Sequence, residues 1–326
     1  MRMGHLSVAV AAIVCLGSCM SGAASAQSYP QQSIRMVVPA GPGSPAELAG
    51  RLASQILPSR LGQPVVLDHR PGAGGAIGMR EAAKAAPDGY TLLSAGGAQL
   101  SVLPAISSRV GVDPAKEFTP VARFMDSFQI LVVHPSSPWM SVKDLVDYAK
   151  ANPGKLNYAH VGPGHLTHLA GELFMQSTGT SLIGVAYRGG QEGLTAVLTQ
   201  SVHLTIENVA VLLPLIREGK LRALAVTSAT RTSLAPDIPT MIEAGIPGYD
   251  VTTFFGVVAP ASTPPAIINT LNNAINAGLK TAEMQETITR MGAVPVVASP
   301  EEFGARIAGD LRKWQAVAKA ANIKID

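Results

Sequence analysis

The stretch Ile34-Arg35-Met36-Val37-Val38-Pro39-Ala40-Gly41-Pro42-Gly43-Ser44-Pro45-Ala46-Glu47 decides how the rest of the chain is read. Ile34 to Pro39 is a short apolar run of the length of a buried strand, and Gly41, Pro42 and Gly43 then mark a turn. Ser44 stands at an N-cap, Pro45 at the first helical position and Glu47 three residues after the serine, the pattern of a capping box. Leu48, Leu52 and Ile56 continue it as one apolar face at helical spacing. A strand that runs through a glycine turn into a helix is the opening of a parallel strand-helix-strand unit.

Outward from that stretch the same rhythm recurs. A strand at Pro64 to Asp68 leads through a glycine turn to a helix at Ile77 to Ala86 and a strand at Tyr90 to Ser94. A strand at Gln129 to His134 precedes a helix at Val142 to Ala151, with Ser141 as N-cap and Asp144 three residues on. Leu156 to His160 runs into a helix at Thr167 to Ser177, Leu182 to Tyr187 into Glu192 to Thr199, and Leu204 to Glu207 into Val211 to Glu218, with a strand at Leu224 to Thr227 after them. Phe255 to Ala259 leads to a helix opened by Thr263-Pro264, and Ser299-Pro300-Glu301-Glu302 opens the last long helix. The expected fold class is α/β, with mainly parallel sheets covered by helices. No repeat of fixed period is present, which disfavours a solenoid.

The length of 326 residues favours two domains or one large one. With 14% charged residues, 47% apolar residues and a net charge of +3, the composition argues against disorder and against nucleic-acid binding through a basic face. Arg2, the apolar stretch Leu6 to Leu16 and Ala24-Ser25-Ala26 before Gln27 form an export signal over residues 1–26, which predicts a soluble periplasmic protein. Leu16-Gly17-Ser18-Cys19 also resembles a lipobox, so a lipoprotein anchored at Cys19 is the alternative. Both cysteines, Cys15 and Cys19, fall in this segment, so the soluble form has no disulfide or thiolate chemistry. The longest later apolar run, Val209 to Ile216, is too short to span a bilayer.

Ligands of open α/β sheets bind outside the carboxyl ends of the strands, and there this sequence is richest in glycine. Ala40 to Ser44, Pro71 to Gly75, Ala95 to Ala98, Gly162-Pro163-Gly164 and Arg188-Gly189-Gly190 each follow a strand. Unpaired N–H groups at such points, with the helix dipole behind them, hold an anion without a lysine. Nucleotide and hydrolase motifs fail: Gly72 and Gly74 begin a G-x-G-x-x-G that Ile77 interrupts, and there is no phosphate-binding G-x-x-x-x-G-K-[ST] or G-x-S-x-G elbow. His160, His165 and His168 are close in sequence, but the Gly-Pro-Gly turn between them is expected to point their rings in different directions, so no metal site is expected. Glu47 is accounted for by capping and Glu207 stands alone, so no acid/base pair emerges.

Several blocks resemble the tripartite tricarboxylate transporter substrate-binding proteins, or Bug-type receptors. They include Ile34 to Pro39, Leu61-Gly62-Gln63-Pro64-Val65-Val66, Arg70-Pro71-Gly72-Ala73-Gly74-Gly75, Pro87-Asp88-Gly89-Tyr90-Thr91-Leu92-Leu93, His168-Leu169-Ala170-Gly171-Glu172, Gly219-Lys220-Leu221-Arg222-Ala223-Leu224 and Pro236-Asp237-Ile238-Pro239-Thr240. The resemblance covers essentially the whole mature chain. It implies a two-lobed periplasmic binding protein of type II-like form, residues 27–127 with 251–326 making the first lobe and 128–250 the second. It also implies a small organic carboxylate held by main-chain groups from loops of both lobes, and membrane permease subunits as partners. A receptor for a signalling partner, or a periplasmic hydrolase, is the alternative function. No cofactor, no nucleic acid and a monomer are expected.

Against the family pattern, Ala46-Glu47 replaces Thr-Asp, Ala76 replaces an asparagine, His165-Leu166 replaces a hydroxyl-rich pair before Thr167, Glu207-Asn208 replaces Asp-Asn, and Phe254 replaces a tryptophan. The candidate ligand-binding set is therefore Ala40, Gly43, Ser44, Gly74, Gly75, Ala76, Gly97, Gly162, Gly164, His165, Thr167, His168, Tyr187, Glu207, Asn208 and Phe254. The lost donors predict a ligand less hydroxylated than citrate, with His165 near its acid group.

Overall fold

β1 (Ile34–Val38) lies between two parallel neighbours, β2 (Val65–His69) and β3 (Thr91–Gly96), which is why all its residues but the half-buried Arg35 are apolar, without alternation. The computed structural model describes residues 29–325. The expected export segment, its cleavage site and both cysteines lie outside them. α1 (Leu48–Leu61) crosses from β1 to β2 and buries Leu52, Ala53, Ile56 and Leu57 against Met36 and Leu92. It ends at Gly62, whose φ of 75° lets its N–H turn back to the Pro58 carbonyl. α2 (Ala76–Ala83) makes the next crossover. After β3 the chain passes through the short turns α3 (Leu103–Ile106) and α4 (Pro114–Glu117).

β4 (Phe118–Val133) is 16 residues long, where the sequence predicts only its last third. Its first part carries Thr119, Pro120, Arg123 and Asp126, which break the apolar run, and its pairing with β9 slips twice there. The second half of the fold follows: α5 (Val142–Ala151), β5 (Asn157–His160), α6 (Leu166–Thr178), β6 (Ile183–Ala186), α7 (Gly190–Leu198), β7 (Leu204–Asn208), α8 (Val209–Arg217) and β8 (Arg222–Val226). The chain returns along β9 (Thr252–Pro260) and finishes with α9 (Pro265–Leu279), α10 (Ala282–Arg290), β10 (Val294–Pro295) and α11 (Pro300–Ala320). The capping boxes at Ser141 with Asp144 and at Ser299 with Glu302 form as the sequence predicts. α9 departs from expectation: Pro264 is its N-cap, and the Thr263 hydroxyl donates to the Pro260 carbonyl.

The strands form one sheet in the order β2-β1-β3-β9-β4-β7-β5-β6, with β8 and β10 also paired to β4. β4 changes partners at its middle: Phe118 to Phe128 pair with β9, and Gln129 to Val133 pair with β7 and β8. Each half therefore repeats one plan, a parallel triplet followed by a long antiparallel strand. That repeat lies in the strand order, without any period in the sequence. The expected lobe boundary at 127/128 lies inside β4, one residue from this change.

α11 joins the halves. Phe303 and Ile307 pack with Val37, Leu93 and Phe254 of the first half, whereas Trp314, Val317 and Ala318 pack with Leu131, Leu169 and Phe174 of the second. Val102 and Ile106 also join that second core, although the expected division places 27–127 and 251–326 in the first lobe.

Candidate functional site

A cavity of about 490 Å³ lies where the carboxyl ends of the two parallel triplets face each other. One wall is Ala40, Ser44, Pro45, Ala46 and Leu48, with Ala98 and Gln99 beside them. The opposite wall is His165, Leu166, Thr167, Glu207, Asn208, Ala210 and Val211. Met125, Ser127 and Gln129 of β4, Thr253 and Phe255 of β9, and Met291 and Ala293 close its floor. A second hollow of about 310 Å³ adjoins it, and Ala98, His165, Leu166 and Thr253 line both.

The first loop differs from the predicted capping box. The Ser44 side chain caps nothing, and the Glu47 carboxylate reaches past it to accept the N–H of Gly43 (2.5 Å), which the left-handed φ of 77° makes possible. Arg51 also donates to Glu47 (2.6 Å), and His69 lies 3.5 Å away. Burial pushes the Glu47 carboxyl up, but the Gly43 N–H, the Arg51 guanidinium and His69 outweigh it and hold the group below the usual carboxylate range. Glu47 thus locks the loop from behind, and the Ser44 hydroxyl is left buried at the cavity wall without a partner.

The second loop also corrects an expectation. Its amides are already engaged: Val161 N–H donates to Thr167 Oγ1 (3.0 Å), Gly162 N–H to His160 Nδ1 (3.1 Å), Gly164 N–H to His168 Nδ1 (3.3 Å) and His165 N–H to the Gly162 carbonyl (3.3 Å). His160 and His168 do not point apart. Their rings stack at 4.5 Å and 31°, because the loop folds back over the end of β5 and its Gly162 and Gly164 N–H groups donate to the two Nδ1 atoms. Burial lowers the pKa of all three histidines, with His160 adding to the effect on His165 and on His168, the latter reaching about 4. They are neutral near pH 7. His165 Nδ1 accepts the Thr167 N–H (3.3 Å), so its neutral ring carries the proton on Nε2 and keeps a donor to offer.

Glu207, next to last in β7, stands on the cavity wall. Burial pushes its carboxyl up, against the Asn208 N–H that donates to Oε1 (2.7 Å). Asn208 caps α8 through the Ala210 N–H (2.9 Å) and donates to Ser127 Oγ (2.9 Å), tying that helix to β4. Gln129, only 3% exposed, is among the lining residues, and its buried Oε1 has no partner. Among the described residues lining the cavity there is no Lys or Arg, and among all described residues no group of three or more His, Cys, Asp and Glu is placed to hold a metal ion.

Of the predicted set, Ala40, Ser44, His165, Thr167, Glu207 and Asn208 come together around the cavity, and Gly74, Gly97 and Gly164 line the adjoining hollow with His165. The others lie elsewhere. Gly43 serves Glu47, and Gly162 and His168 serve the second loop. Gly75 and Ala76 are buried at the start of α2, and Tyr187 packs beside Leu194 and Val197. Phe254 is fully buried edge-on to Phe303 (5.4 Å), because alternation along β9 turns its neighbours Thr253 and Phe255 to the cavity and Phe254 to the opposite face. Sequence reasoning missed Met125, Ser127 and Gln129. Their spacing of two along one strand was the available signal.

Residues 49–323 match the pattern of the tripartite tricarboxylate transporter family receptor. "Protein BugT" of Bordetella pertussis is 36% identical over 302 residues, which cover 92% of this chain and 93% of that protein. Among solved structures, the Rhodopseudomonas palustris protein Rpa4515 with adipate is 34% identical and superposes with a TM-score of 0.74, covering 91% of this chain and 99% of that one. MatC from Rhodopseudomonas palustris with bound malate is 28% identical, with a TM-score of 0.70 over 89% of this chain and 99% of its own. The architecture is that of a two-lobed α/β periplasmic binding protein, as expected.

Proposed function

The chain belongs to the tripartite tricarboxylate transporter receptor family, and from that premise we propose that it captures a small organic carboxylate between its lobes, residues 27–127 with 251–326 and residues 128–250, and presents it in the periplasm to a membrane permease. The export signal expected at residues 1–26 supports the location. No helix among the described residues is long and apolar enough to cross a membrane.

One observation carries the reading. Ser44 from the first lobe and Gln129 from the crossing strand both line one cavity, and the Ser44 hydroxyl and Gln129 Oε1 are both buried without a partner. A buried polar atom left unpaired costs about 1–3 kcal/mol, a cost that a ligand or ordered water touching both walls removes. Such a ligand makes more contacts in the closed state than in the open one and so favours closure. The acid is held by dipoles, among them the Ser44 hydroxyl and the His165 Nε2–H, since the second loop's amides are spent on their own histidines.

Relatives with adipate and malate support a carboxylate as the ligand class. Of the four hydroxyl side chains on the walls, Ser127 and Thr167 already accept from Asn208 and the Val161 N–H, which favours an acid less hydroxylated than citrate. Hydrolysis fits poorly, because the Ser44 hydroxyl has no base beside it and Ser127 Oγ accepts from Asn208. Calorimetric titration with mono-, di- and tricarboxylates tests the proposal. We expect a simple dicarboxylate or monocarboxylate to bind more tightly than citrate, and His165→Ala to weaken it at least severalfold. Citrate binding best, with no loss in His165→Ala, overturns the ligand assignment. Turnover of any acid or ester in the panel overturns the receptor assignment.

A further inference from the structure

The cleft has two compartments of different chemistry. The larger carries the polar groups Ser44, Gln129, Glu207 and Asn208, whereas the adjoining hollow of about 310 Å³ is walled by Val102, Leu103, Ile106, Pro163, Trp314 and Ile325. His165 and Leu166 face both, so the donor proposed for the acid stands at the junction. Apart from His165, the one ionisable side chain among the described residues lining the smaller compartment is Asp310, and it is already held by Arg306 (3.2 Å) and Lys313 (2.9 Å) of its own helix. Among the described residues this wall offers a second acid group no Lys or Arg, and of its two hydroxyls that of Thr252 already donates to Asp250, which leaves Thr253 as its one remaining side-chain hydroxyl. The Ile325 N–H donates to the Ile106 carbonyl (3.0 Å), which fixes the last described residues of the chain as part of the wall.

We propose that the smaller compartment receives the apolar tail of the ligand, so that this receptor selects amphipathic monocarboxylates, with an aliphatic or aryl tail beyond His165 and Leu166, over dicarboxylates of the same length. The inference rests on the carboxylate-capture reading above. Burial of apolar surface drives tail binding, so each methylene that enters the compartment raises affinity, and a terminal carboxylate placed there loses hydration without a Lys or Arg to pair with.

Calorimetric titration with straight-chain monocarboxylates from butanoate to decanoate, and with dicarboxylates of equal chain length, tests it. The expected result is about a fourfold gain in affinity per methylene once the tail passes the junction, then a plateau when the compartment is full. The dicarboxylates show no such rise. Ile325→Trp, at a partly exposed position near the end of the chain, fills the compartment and should move the plateau to shorter chains. A flat series with butanoate still bound overturns the inference and leaves carboxylate capture standing. A parallel rise for dicarboxylates, or a plateau unmoved in Ile325→Trp, also overturns it. Binding of no carboxylate overturns both.

Discussion

Glu207 carries a negative charge into a cavity proposed to hold an anion, and its environment reduces that conflict by pushing the carboxyl pKa up through burial. Ionised Glu207 repels the bound acid, so carboxylate affinity rises as pH falls through the raised pKa. Glu207→Gln is expected to bind the same carboxylate more tightly at pH 7 and to lose this pH dependence, as read by titration across the range. Stability follows the same sign. A carboxyl whose folded-state pKa lies above its unfolded value contributes fully below the unfolded value, about 4.3, and loses that contribution as pH rises through the folded value. Thermal melts should therefore show Glu207→Gln more stable than the native protein at neutral pH and level with it at about pH 3. Equal melting temperatures at neutral pH would contradict burial as the cause. At this scale the sequence was partly legible. Ser44 and Glu207 stand out at strand ends, but whether a side chain faces the cavity depends on alternation, which set Phe255 there and Phe254 behind it.

Elements with local signals were the most legible. Ser299 with Glu302, and Ser141 with Asp144, close their capping boxes within three residues, so no distant partner decides them. Ser299→Ala should cost about 1 kcal/mol in urea denaturation, with ligand affinity unchanged. Only the last third of β4 was legible, for the opposite reason. Its first part pairs with β9, more than a hundred residues away, and its Met125, Ser127 and Gln129 are spent on the cavity floor and not on a continuous apolar run. The close packing of that strand pair gives a sharper test: a Cβ at Gly256 would stand 2.4 Å from the Phe303 ring and 2.7 Å from the Ala122 carbonyl oxygen. Gly256→Ala should therefore destabilise by about 1–3 kcal/mol, more than loss of the cap. A neutral effect would mean that β9 and α11 can separate at little cost.

At the scale of the molecule, β4, the segment entering β9 and α11 connect the halves among the described residues. β4 pairs with β9 in the first half and with β7 and β8 in the second, Val251 just before β9 packs in the second core, and α11 packs on both cores. Arg306 fixes this helix to the start of β9 by donating to the Thr252 carbonyl (2.7 Å), and Lys313 donates to the Asp250 carbonyl (3.0 Å). Closure about these crossings predicts a smaller radius of gyration in solution scattering when a bound carboxylate saturates the cleft. An unchanged radius with ligand bound would place capture without closure. The repeated strand order was not legible in the sequence, because it is a property of pairing and leaves no repeated residues.

The most direct test is the structure of a crystal grown with a carboxylate that raises the melting temperature. The account predicts the acid group within hydrogen-bond distance of the Ser44 hydroxyl, beside Gln129 and His165, and chemically unaltered. Density for the acid outside this cavity, or for a product in its place, would contradict it.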